Sequence, residues 1–227
     1  APLYGSFEDA VAGVNPVNQF APGTLRYVSY IYRQDYNGNP YLQLKSGEWL
    51  RAAPAAYTDF QGLVFHENPR NDFGWIVDAT PSYQGPSFGA EFTGENYVRE
   101  NVIQVFGTQE AEGVTWYRIS PDEWVNSQKA RVVQLDLTPP EEVTSDRWIE
   151  LNLLQQTMMV YEDGQLQFAT LMASGLDPFF TQPGVFEIYE KKPLETMSGA
   201  FAADRSDYYY LEDVPWTMYF DQARALH

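Results

Sequence analysis

Arg147-Trp148-Ile149-Glu150-Leu151-Asn152-Leu153, then Gln156-Thr157-Met158-Met159-Val160-Tyr161, then Leu166 through Ser174 is the stretch on which the reading of this chain turns. The first run alternates apolar and polar residues, which predicts a half-buried strand. The second and third flank Glu162-Asp163-Gly164-Gln165, and Asp-Gly between apolar runs specifies a tight hairpin, because both central positions tolerate positive φ. Outward to the N-terminal side, Leu137-Thr138-Pro139-Pro140-Glu141-Glu142 has the marks of a linker. Consecutive prolines favour extended backbone and cannot sit in a central strand, so a domain boundary is expected at 137–146. Outward to the C-terminal side come the loop at Ser174-Gly175, the run Thr181 to Tyr189, a polar excursion over 191–207, and Val214-Pro215-Trp216-Thr217-Met218-Tyr219-Phe220.

The N-terminal half also reads as β, with turn signals at short intervals. A short helix is expected within Tyr4 to Phe20, on Phe7, Ala10, Val11 and Val14. Leu25 to Tyr32 predicts a strand, Asn37-Gly38-Asn39-Pro40 breaks it, and Tyr41 to Leu44 resumes it. Gly47-Glu48-Trp49-Leu50-Arg51 and Gly113-Val114-Thr115-Trp116-Tyr117-Arg118-Ile119 each place a turn before an aromatic strand. Ser120-Pro121-Asp122-Glu123 reads as one helical turn capped by Ser120. With Asn101 to Gly107 in front and Trp124-Val125 behind, residues 97–135 resemble a small bacterial SH3-like barrel. Residues 25–80 read as a related module or as part of the same one. The division expected is an N-terminal segment 1–24, an SH3-like β region 25–136, the linker 137–146, and a C-terminal domain 147–227.

Composition narrows the function classes. Against 31 acidic side chains stand 14 basic ones, a formal charge of −17. Such a surface repels a duplex or an anionic lipid face, so nucleic acid is excluded as a partner. No apolar run approaches the length that crosses a bilayer, and residues 1–20 show no signal peptide. Cysteine is absent, which removes disulfides, thiolate metal sites and a cysteine nucleophile from these residues. Aromatics reach 16% of the chain, a richness that suits an extracellular β-domain handling glycan or peptide.

Residues 147–227 resemble the L,D-transpeptidases with the YkuD-type catalytic domain. The resemblance is carried by W-I-E-L-N-L-x-x-Q-T-M-x-V-Y-E-D-G, F-A-T-L-x-A-S-G, T-x-P-G-x-F-x-I-Y-x-K, M-S-G-A and Y-Y-L-E-D-V-P-W-T-M-Y-F with A-L-H, in that order. Pro183 stands one place later than in the family's Thr-Pro-x-Gly. The implied fold is mainly β throughout: an SH3-like β-barrel region followed by a YkuD-type β-sandwich that is truncated here. The implied activity is cross-linking of peptidoglycan stem peptides, at the cell envelope and without a metal or other cofactor. A cysteine thiolate attacks the diamino-acid carbonyl, expels D-alanine, and passes the acyl group to an amine. His227 stands where the family has its first histidine, which implies a general base. Met197, Trp216, Met218 and Phe220 are implied to line the substrate cleft, and core packing is the other reading of the apolar ones. The family's Ser-His-Gly-Cys lies beyond His227, so a longer parent chain is expected, and this polypeptide is expected to be inactive alone.

Other candidates weigh less. His66 sits in a polar turn, and Asp35 with Asn37 lacks the later ligands of a calcium loop. Asp204, Asp207, Glu212 and Asp213 read as solvated loop charge. Ser174-Gly175 is not a nucleophile elbow, because Gly-x-Ser-x-Gly is lacking. Two alternatives remain open beside the enzyme: a wall-binding module without chemistry, and a structural envelope subunit. The sequence specifies no oligomeric state.

Overall fold

The computed structural model describes residues 1–20, 25–27 as backbone, 29–52, 62–177, 179–200, 202, 204–206 and 208–227. The fold is mainly β: antiparallel pairing dominates, and the described residues hold a single short helix. The chain divides into two compact units, one of Ala1–Thr58, Leu176–Phe180 and Phe186–His227, the other of Asp59–Gly175 and Thr181–Val185.

In the first unit a five-stranded sheet runs in the order Pro16–Gln19, Pro2–Tyr4, Trp49–Arg51, Asn39–Leu44, Tyr30–Tyr36. The expected turn at Asn37-Gly38 closes its last hairpin, with φ of 50° and 74°. One set of buried residues gathers Leu3, Leu44, Leu50 and Ala52; another gathers Tyr4, Ala10, Tyr41 and Trp49. The expected helix, Phe7–Ala12, packs Phe7 and Val11 against the second set. Ser6 caps it by accepting the Asp9 N–H at 3.1 Å, and Gly13 ends it in the left-handed region. A second sheet pairs Glu190–Gly199, Tyr209–Asp221 and Arg224–Leu226. Leu25–Tyr27 joins it in parallel with Tyr209–Leu211.

The second unit contains three sheets. Val102–Val105, Asp72–Ile76 and Ala130–Val133 form one; Phe92–Tyr97, Thr80–Tyr83, Glu123–Asn126, Val114–Ser120 and Gly107–Ala111 form the next. Ile76, Ile103, Val105 and Val132 from the first meet Tyr117, Ile119 and Val125 from the other in one core. The third sheet runs Arg147–Asn152, Thr157–Glu162, Gln165–Leu171, Leu63–Val64. Its first hairpin turn but one is the expected Asp163-Gly164, at φ 52° and 71°.

Three expectations change. No closed barrel forms among the described residues; two open sheets share a core where a barrel is expected. Asp72–Ile76 is the central strand between Val102–Val105 and Ala130–Val133, which joins the end of 25–80 to the strands of 97–135, as one of its two readings has it. Ser120-Pro121-Asp122-Glu123 is a two-residue hairpin turn with Ser120 opposite Glu123, not a helical turn. The compact units also part elsewhere than at 137–146. Leu135 and Leu137 pack on a core in which Phe73, Trp75 and Val133 meet Met159, Tyr161, Leu166 and Ala169. That shared burial holds residues 147–175 with the preceding strands, while Phe186–His227 belongs to the first unit.

Candidate functional site

The C-terminal sheet of the first unit carries His227, and its register decides what lies beside that ring. Lys192 pairs with Thr217, and Glu190 with Tyr219. On the other side of the same strand, Met218 pairs with Leu226 and Tyr219 with Ala225. Carried one residue further, this register sets His227 opposite Thr217. Residues directly opposite share a face, and successive residues alternate. Lys192, Thr217 and His227 therefore form one row across three strands, with Glu190, Tyr219 and Ala225 as the next row on that face.

Thr217, in the middle, is fully buried, and its hydroxyl donates to the Val214 carbonyl at 3.4 Å. The Lys192 ammonium lies 2.6 Å from Glu195 and 3.8 Å from Glu190, and 5.2 Å from the centre of the Tyr219 ring. Glu195 and the neighbouring charges raise the Lys192 pKa above the ordinary lysine value. Tyr189 stacks on Tyr219 at 6.3 Å and donates its hydroxyl to the Gln222 carbonyl, which ties this face to the Asp221–Arg224 turn.

Burial lowers the His227 pKa below the ordinary 6.5, because a desolvated imidazole resists charging. That shift favours the neutral imidazole, the form able to accept a proton as a general base must. The sign for stability follows: the unfolded chain binds this proton more readily, so the group destabilises the fold only as pH falls below the ordinary histidine range. A proton-detected NMR titration is expected to place the His227 midpoint below that of a histidine in an unstructured peptide. A midpoint at or above the peptide's contradicts the desolvated ring.

The other residues singled out from sequence are dispersed. Met218 and Phe220 alternate with Thr217 and Tyr219, so they lie on the opposite face from His227; Phe220 meets Phe186 edge-on at 5.7 Å. Met197 pairs with Leu211, beyond an irregularity in the ladder and about 16 Å along the strand from Lys192. Trp216 follows Pro215 and stands at φ 54° with 73% of its surface exposed. A bulky residue in the left-handed region is a strained outlier of the kind found at binding sites. Thr217, Lys192 and Tyr219 escaped the sequence reading. The period-2 alternation in Trp216 to Phe220 separates the two faces, yet which face meets His227 needs the register.

On its second side, Tyr209–Asp221 pairs with Leu25–Tyr27 at one end and Arg224–Leu226 at the other. Between them no described strand pairs with Glu212–Thr217, and His227 borders this opening. Asp213 there has φ 49°, and its carboxylate pairs with Lys45, which holds it below the usual carboxylate range. Glu212 accepts the Ser29 N–H at 2.9 Å.

His66 is exposed in a bend. Asp204 accepts the Ser206 N–H, and Asp207 lies outside the described residues. Among the described residues no group of three or more His, Asp or Glu is placed to hold a metal. The Ser174 hydroxyl accepts from the Gln156 amide at 2.9 Å, and its N–H donates back to the same side chain, which makes Ser174 a loop latch. Comparison with known protein families, curated proteins and solved structures yields no match.

Proposed function

We propose that this polypeptide carries part of the machinery of an L,D-transpeptidase, acting on peptidoglycan stem peptides at the cell envelope. The observation that carries the reading is His227, exposed at the margin of an open strand side, where partial desolvation holds its pKa below the ordinary histidine value. The ordered motifs of residues 147–227 supply the chemistry to which such a base is suited. The SH3-like reading of the preceding region rests on its motif order, since its two sheets share a core without closing a barrel among the described residues. In that reading it positions the wall polymer.

The acyl transfer breaks the amide to the terminal D-alanine and forms a thioester, with His227 taking the thiol proton and returning it to the departing D-alanine amine. These 227 residues hold no cysteine, so the nucleophile is not among them. The product of the full reading frame, treated with a carbapenem, is expected to gain the mass of one acyl adduct on a cysteine. A full reading frame without cysteine, or no adduct, overturns the catalytic reading. The absence of cysteine favours one alternative, a wall-binding protein without chemistry. It predicts co-sedimentation of the chain with purified sacculi and no adduct in the full product.

A further inference from the structure

We propose that Lys192 receives the free C-terminal carboxylate of the acyl-donor peptide. The inference rests on the transpeptidase reading and adds a specificity-determining residue that its motifs do not name. Lys192 shares a cross-strand row with His227, separated from it by the buried Thr217. Strands lie about 4.8 Å apart, which sets the two side chains on one face about 10 Å apart at their bases.

A stem peptide crossing this row with its scissile carbonyl at the imidazole has its terminal carboxylate one residue further on, about 3.8 Å along the chain. The flexible lysine stem spans the remaining gap, and an ammonium with rotatable donors suits a single carboxylate. The charge balance points the same way. With 31 acidic against 14 basic side chains, an anionic peptide needs a local cation to approach.

Lys192 is an exchangeable cation. Its partners Glu195 and Glu190 keep 23% and 49% of their side-chain surface exposed, and ion pairs so exposed contribute little. A ligand carboxylate takes their place while the Tyr219 ring stays beneath the ammonium. Lys191, one residue away, alternates to the other face and cannot substitute.

The test uses the 227-residue chain and two probes: the tetrapeptide L-Ala-γ-D-Glu-L-Lys-D-Ala as free acid, and the same peptide as C-terminal amide. Calorimetric titration is expected to show the acid binding about tenfold tighter than the amide, the size of one charge-assisted contact. Lys192→Met is expected to erase that preference, and Lys192→Arg to keep most of it. Equal binding of acid and amide to the unaltered chain overturns the role of Lys192 and leaves the transpeptidase reading standing. No binding of either peptide overturns both. The acid–amide comparison needs no variant, so a misfolded Lys192→Met does not blunt the test.

Discussion

Gly74→Ala is expected to unfold the second unit or to lower its stability by about 4 kcal/mol or more, the exceptional end for a single substitution. Gly74 lies mid-strand in Asp72–Ile76, paired with Ile103 on one side and Val132 on the other. A Cβ added there overlaps the Arg131 carbonyl oxygen and stands 2.9 Å from the Val132 Cα. Both are backbone atoms, so no side-chain rotation relieves the clash; the central strand must separate from Ala130–Val133. That separation breaks ladder hydrogen bonds and opens the core of Ile76, Ile103 and Val132 together. Gly85→Ala is the matched control, since its Cβ meets only Ala90 Cβ, at 3.8 Å. Urea unfolding followed by tryptophan fluorescence reads both variants. An unfolding midpoint for Gly74→Ala equal to that of Gly85→Ala contradicts this packing.

Tyr161→Ala carries the second large effect, a loss of about 3–5 kcal/mol as for other buried aromatics. The ring is fully buried, stacks on Trp148 at 4.2 Å and 16°, and donates its hydroxyl to Glu150 at 3.3 Å. Tyr161→Phe isolates the hydroxyl and is expected to cost about 1–2 kcal/mol, by leaving a half-buried carboxylate short of a donor. The two variants also differ from the parent in pH response. Burial raises the Glu150 pKa above the ordinary 4.5, and the Tyr161 hydroxyl opposes that rise. The folded chain therefore binds this proton more readily than the unfolded one. Stability falls as pH climbs from the ordinary glutamate range through the raised value. Removing the hydroxyl lifts the Glu150 pKa further, so in Tyr161→Phe the fall extends to higher pH. Unfolding free energies measured from pH 4 upward, in steps of about one unit, read the effect. A Tyr161→Phe profile parallel to the parent's contradicts the Glu150 contact.

Local chemistry made part of this structure legible. Asn37-Gly38 and Asp163-Gly164 announce positive φ at two successive positions, and both close hairpins in which they hold it. Phe7, Ala10 and Val11 announce the helix, while the Ser6 and Gly13 caps that end it before Val14 come from the structure. Ser120-Pro121-Asp122-Glu123 misled because a serine followed by proline and acids suits a helix N-terminus and the corner of a β-turn equally. Only the pairing of Ser120 with Glu123 decides between them. Pro139-Pro140 correctly marked irregular backbone. The half-buried Leu135 and Leu137 beside it pack against strands that precede and follow it. The row of Lys192, Thr217 and His227 comes from three separate strands, and no spacing along the chain encodes which residues stand opposite one another.

The parallel ladder between Leu25–Tyr27 and Tyr209–Leu211 joins segments far apart in sequence. On a ribosome the early strand emerges long before its mate is translated. Asp59–Gly175, almost contiguous, is free to condense meanwhile, as domains do during synthesis. That ladder closes only once Tyr209–Leu211 has emerged, across a large loop whose closure is entropically costly and slow. Until then Leu25–Tyr27 offers bare amides to any neighbour, which makes the interval before that closure the moment of greatest aggregation risk.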